Sequence, residues 1–168
     1  MRTTRKRHVW CRVVFVNSWH VKREFDLNSY TTKDEVLKAF DDVEHKEGDA
    51  NTHLAIDELV LNGFSEVHGA RKIADGHPRI GILLTGSRSC EPDKTFLAAV
   101  RAHDADLTMI TVGIGKNLYL NELEAIASDP TCQHLILLKN FTEMDSLKYA
   151  IRHRIREGKK VKKVKPGT

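Results

Sequence analysis

Three times between residues 79 and 155 a short apolar run gives way to a longer stretch with helical spacing, and this alternation restricts the fold more than any other feature. "RIGILLT" precedes "EPDKTFLAAVRAHDA", "LTMITVGIG" precedes "LYLNELEAIAS", and "QHLILL" precedes "TEMDSLKYAIRHRI". A helix between two strands lets the second return parallel to the first, and such helices cover both faces of the sheet. Local signals agree with that reading. Pro92 stands in the first turn of its helix, where its missing N–H costs nothing. Asp129-Pro130 closes the second helix. Met144, Leu147, Ile151 and Ile155 fall along one side of the last.

The first half adds a hairpin. "VWCRVVFV" (9–16) and "HVKREFDL" (20–27) are β-rich runs separated by a polar break. Val21, Arg23 and Phe25 share one face of the second run, and Lys22, Glu24 and Asp26 the other. That alternation fits an edge strand of an antiparallel pair. "TTKDEVLKAFDDVEH" then opens on Thr and acids, with Val36, Leu37, Phe40 and Val43 at helical intervals. "GDAN" interrupts it, and "THLAIDELVLNGFSEV" resumes it with Leu54, Ile56, Leu59, Val60 and Phe64 as the buried stripe. The class is α/β.

Length and charge bound what such a chain does. Its 168 residues suit one domain with a real core, and no apolar run approaches the roughly 20 residues that span a bilayer. "MRTTRKRHVW" lacks the apolar stretch of a signal peptide. The net charge of +4 is divided unevenly: residues 1–8 carry +4, residues 152–168 carry +7, and residues 9–151 carry −7. A nucleic-acid protein would place its basic stripe on the folded body, so nucleic acid is not expected as a partner. The organisation read from this is a basic segment at 1–8, a domain at 9–156 and a basic, disordered tail at 157–168, whose functional alternative is weak binding to heparin-like polyanions or anionic surfaces.

Other chemistry finds little support. "VGIGK" (112–116) lacks the G-x-x-x-x-G-K-[ST] spacing that wraps phosphates, and reads as a strand-to-helix turn needing two glycines. The nine histidines are scattered, with no H-x-x-x-H pair on an expected helix. "GSRS" is not the G-x-S-x-G elbow of a nucleophilic serine. Cys11, Cys90 and Cys132 have no metal-like spacing, and an odd number cannot all pair within one chain. Trp10 and Trp19 flank the hairpin as packing residues, Trp19 being the one at a polar turn.

"REFDLNSYTTKDEVLKAF", "GDANTHLAI", "GILLTGSRS", "ITVGIGKNLYLNELEAIASDP" and "FTEMDSL" together resemble, in order, successive blocks of a von Willebrand factor type A domain over residues 9–155. The collagen-VI-like and matrilin-like extracellular branch is the nearest. The resemblance implies a doubly wound, mostly parallel sheet with helices on both faces, one antiparallel edge strand and a metal-ion-dependent adhesion site at the carboxyl edge of the strands. In the family that site draws on a D-x-S-x-S after the first strand, a Thr in a "GGTNT"-type loop and an Asp in a "TDGRS"-type loop.

This chain departs from the pattern at all three segments. It begins where the family's second strand begins, so the first, central strand is expected to be lacking, and the favoured explanation is a fragment of a longer gene product. Ala50 stands at the position of the Thr ligand, with Thr52 two residues on, and Gly86 stands at the position of the Asp. A hard cation takes oxygen ligands that usually include a carboxylate. Magnesium, calcium and manganese are therefore not expected, and no cofactor is. The expectation is a non-catalytic adhesion module, extracellular by resemblance, that binds other proteins such as collagen or matrix components without an ion. Its contacts would come from the loops at Asp49, Asn51, Thr52, Ser87, Arg88 and Ser89, and the open sheet edge would allow self-association. The alternatives are a ligand-free structural remnant and, from another class, a nucleotide-binding α/β protein.

Overall fold

The computed structural model describes residues 13–17, 20–44, 48–72 and 75–161, and side chains within 21–153 of that set. Trp10, Cys11, Trp19, the basic segment 1–8 and residues 162–168 lie outside the described residues. The elements are β1 (Val13–Asn17), β2 (His20–Phe25), α1 (Lys33–Asp41), α2 (Thr52–Glu58), β3 (Ile80–Thr85), α3 (Pro92–Asp104), β4 (Thr108–Ile114), α4 (Leu120–Ile126), α5 (Thr131–His134), β5 (Leu135–Leu138) and α6 (Met144–Val161).

The β3, β4 and β5 strands form a parallel sheet in that order, with Leu84 opposite Val112 and Val112 opposite Ile136. Helices cover both faces. Ile56 of α2, Ala98, Ala99 and Ala102 of α3 and Ile126 of α4 pack with Met109 on one side. Leu147 of α6 packs on Ile110, Val112, Ile114, Ile136 and Leu138 on the other. This layering explains the central strand's sequence: "TMITVGI" is apolar almost throughout because β4 is covered on both sides. The three inward alanines of α3 let that helix sit close to the sheet, which leaves the larger Leu97 and Val100 on its exposed side.

The β1 and β2 strands pair antiparallel, as the alternation predicts, but they make a separate two-stranded sheet. The hairpin does not close onto β3. Side chains hold it instead: Arg23 reaches Glu58 of α2 at 3.2 Å, and Asp26 meets His68 at 3.1 Å. Phe25 is buried edge-on against Tyr30 and Phe40. Among the described residues the outer edge of β3 therefore has no ladder partner, and Ile82 and Leu84 beside it are 41% and 50% exposed. The helical stripe expected after "GDAN" divides at Leu59, where α2 widens into a turn of π-helix over Leu59–Gly63. The short α5 was not expected from sequence, and α6 runs through residues 157–161, which the sequence reading assigned to the tail.

A capping box starts α1. The Thr32 hydroxyl accepts from the Glu35 N–H at 3.3 Å, and the Glu35 carboxylate accepts from the N–H groups of Thr31 and Thr32 at 2.9 and 3.1 Å. The Thr31 bond first, then that of Thr32, holds the Glu35 carboxyl below the ordinary glutamate range. Thr32→Ala is expected to cost about 1 kcal/mol in a denaturant titration. Because the folded carboxyl is the stronger acid, the Glu35 contribution is full above the unfolded glutamate range and fades as pH falls through the folded value. A Glu35→Ala cost that is the same at neutral pH and well below the glutamate range would contradict this.

Candidate functional site

The loops at 49–53 and 86–91 meet at the carboxyl end of β3, where open α/β sheets place ligands. Two bonds from one residue join them. The Cys90 N–H donates to the Ala50 carbonyl at 3.0 Å, and the Cys90 thiol to Asn51 Oδ1 at 2.8 Å. The first loop is set by α2, which a bidentate pair ties to α3: Arg101 Nη2 contacts the two Asp57 oxygens at 2.7 and 2.8 Å. The second loop begins with a tight turn in which the Thr85 hydroxyl donates to the Ser87 carbonyl at 2.8 Å.

The expected contact residues divide by burial. Asp49 and Arg88 are exposed and Ser87 is half-buried, whereas Asn51, Thr52 and Ser89 are buried. Ser89 is 0% exposed, and its hydroxyl donates to Glu122 Oε2 at 2.8 Å while accepting from the Thr95 hydroxyl at 3.1 Å. Glu122 itself is 1% exposed. Both residues thus face the interior and shape the loop from within.

Sequence reasoning missed Glu122, although a signal was present. It stands four residues before Ile126 and one before Leu123, so α4 carries it on its buried stripe. Cys90 was noted only as a thiol without a metal-like spacing, and its part in joining the loops had no signature. Glu91, next in the chain, pairs with Lys94. That bond, with a smaller electrostatic pull from His53, holds the Glu91 carboxyl below the usual glutamate range.

Of "VGIGK", residues 112–114 close β4 and only Gly115 and Lys116 enter the turn, which therefore needs one glycine where two were expected. Gly115 takes a left-handed φ of 95°, which L side chains rarely adopt. Gly113 lies within β4, where a Cβ would come within 2.7 Å of Leu123 and 2.8 Å of Leu118. A shallow cleft lined by His103, Asp106, Thr108 and Glu124 lies at the amino end of β4, opposite the end where a doubly wound sheet holds a nucleotide.

The loops also allow a test against the family's ion. Their oxygen donors are the hydroxyls of Thr52, Ser87 and Ser89, the Asn51 amide and the carboxylates of Asp49 and Glu91, with Gly86 contributing no side chain. Among the described residues no three His, Cys, Asp or Glu side chains converge as a metal site. Hydroxyls bring no charge to offset the dehydration of a hard cation, and of the two carboxylates Glu91 is held by Lys94.

The von Willebrand factor type A domain model matches residues 11–150. Mouse Matrilin-2 is 34% identical over 127 residues, covering 76% of this chain and 13% of that protein. Human Matrilin-4 is 38% identical over 130 residues, covering 77% of this chain and 20% of that protein. Among solved structures, proximal thread matrix protein 1 from the mussel byssus superposes with a TM-score of 0.75 at 26% identity, covering 86% of this chain and 36% of that one. The same mussel protein is also known with a zinc-occupied MIDAS motif. The chain spans a fifth or less of the length of those two matrilins. With the loops, the parallel sheet and the match over 11–150 in agreement, this chain belongs to the von Willebrand factor type A domain family.

Proposed function

We propose that this chain is a non-catalytic protein-interaction module of an extracellular matrix-type protein, binding collagen or another matrix component without a metal bridge. The observation that carries the reading is the rim made by the joined loops: Arg88 is exposed there, two residues after Gly86, which stands where the family has its acid. Guanidinium pairs directly with a carboxylate through parallel N–H bonds, so an acidic partner group needs no ion between. Asp49 and Ser87 complete the exposed contact, and Asn51, Thr52 and Ser89 hold its shape from below.

Surface plasmon resonance against collagens and matrix proteins tests this, with magnesium or calcium present and then chelated. The expected result is an affinity unaffected by the ion and weakened at least about tenfold by Arg88→Glu, equivalent to about 1.4 kcal/mol, with no change in melting temperature. A clear rise in melting temperature with millimolar magnesium or calcium would end the metal-independent reading.

The β3 edge favours a second use. Among the described residues the outer edge of β3, with exposed Ile82 and Leu84, has no ladder partner and is a template for strand pairing, and a second copy of the chain is the occupant we assign to it. Sedimentation is expected to show a concentration-dependent dimer that the Ile82→Lys, Leu84→Lys double variant returns to monomer. A dimer that survives the double variant would place the contact elsewhere.

A further inference from the structure

The solvent side of α6 carries a feature that the interaction reading does not use. Leu147, Ala150 and Ile151 seat this helix on the sheet. Lys148, Arg152 and His153 are exposed on its other side. Past Ile151 the helix continues for ten residues to Val161, and that extension reads "RHRIREGKKV", with five Lys or Arg and one acid. At 100° per residue the helix aligns positions 148, 152, 156, 159 and 160 along one side, over a length of about 18 Å. Asp145 is the acid at the start of that side, and Glu157 lies away from the row.

Such a row works against the helix that bears it. Like charges at i and i+4 destabilise an isolated helix by about 0.2–0.5 kcal/mol per pair, and only those in the last turn recover something from the helix dipole. A bound polyanion removes that repulsion and releases its own counterions. Residues 9–151 carry a net charge of −7, so the folded body offers a polyanion little attraction away from α6. The other basic charge of the chain lies at residues 1–8 and at Lys162, Lys163 and Lys165.

We propose that the solvent side of α6 binds a linear sulfated polysaccharide. Lys148 and Arg152 make the contacts, and the helix backbone carries the row on through positions 156, 159 and 160. Sulfates repeated along a stiff sugar chain match charges repeated along a helix, and both Lys and Arg pair well with them. Tyr149 is the one exposed Phe, Trp or Tyr side chain on this part of α6 and none follows it, so a single ring stands where successive bases would need several. The apolar side that a membrane would take up is seated on the sheet at Leu147, Ala150 and Ile151. The choice of polysaccharide among polyanions rests on the matrix reading above.

The test is fluorescence anisotropy of a labelled heparin oligosaccharide titrated with the full chain near physiological salt. Saturable binding is expected, weakening steeply as salt rises. Lys148→Glu with Arg152→Glu should weaken it at least about tenfold, and Lys148→Gln with Arg152→Gln by less, while Arg71→Glu with Lys72→Glu should leave it within about twofold. Desulfated heparin should bind at least about tenfold more weakly. Absence of binding, or binding indifferent to the α6 variants, overturns the proposal. Equal affinity for duplex DNA or for phosphatidylserine vesicles overturns the assignment to polysaccharide and leaves a general polyanion surface. The α6 variants should retain collagen or matrix-protein binding and Arg88→Glu should retain heparin binding, so failure of either reading is seen separately.

Discussion

Ile126→Ala is expected to lower the stability of the domain by about 3 kcal/mol, within the roughly 2–5 kcal/mol seen when a buried branched residue is cut to alanine. The side chain is 0% exposed and packs with Ile56, Met109 and Leu107 and with Ala98, Ala99 and Ala102 of α3. Three of those neighbours are already alanines, with no longer side chain to swing into the space, so the cavity stays open and its full cost is felt. A single domain holds about 5–15 kcal/mol in all, which makes this a large fraction. The denaturation midpoint should fall with its slope unchanged. Leu120→Ala, on the same helix but exposed, serves as the comparison and should shift stability by less than about 0.5 kcal/mol. Equal costs for the two would mean that α4 does not seat its Ile126 side against α3.

The sequence made some parts of this structure legible and left others unreadable for physical reasons. The β3, β4 and β5 strands and the helices between them follow from apolar runs alternating with helical spacing, since burial on both faces leaves a mark at every position of a strand such as "TMITVGI". The β1–β2 hairpin follows from the two-residue period of "HVKREF". Its separation from β3 does not, because ladder partners are chosen by what lies alongside and not by any residue within the strand. On α3, residue type alone misleads: Leu97 and Val100 look like core and are exposed, because the approach to the sheet requires alanines. At the loops, the absence of an acid at Gly86 was visible by resemblance. Which hydroxyls point outward was not, since this depends on Glu122 from a helix 33 positions further along the chain.

Ser89 decides between two roles that sequence alone could not separate. Its loop position makes it an expected contact, whereas its geometry makes it an anchor: 0% exposed, donating to Glu122 and accepting from Thr95. Ser89→Ala is therefore expected to cost about 1–3 kcal/mol, because removal of the hydroxyl leaves a buried carboxyl oxygen without this donor. Glu122→Gln keeps an acceptor oxygen for Ser89 at similar volume and should cost less than Glu122→Ala, which empties the space as well. A double-mutant cycle between Ser89→Ala and Glu122→Ala should return a coupling above about 0.5 kcal/mol, since the second change removes what the first leaves unpaired. Partner binding separates the anchor from a contact. Arg88→Glu should lose affinity with stability unchanged, and Ser89→Ala should lose stability first, with affinity falling only as the loop is released. If Ser89→Ala weakens binding at undiminished stability, the hydroxyl reaches the partner and the loop opens further in solution than its hydrogen bonds to Glu122 and Thr95 allow.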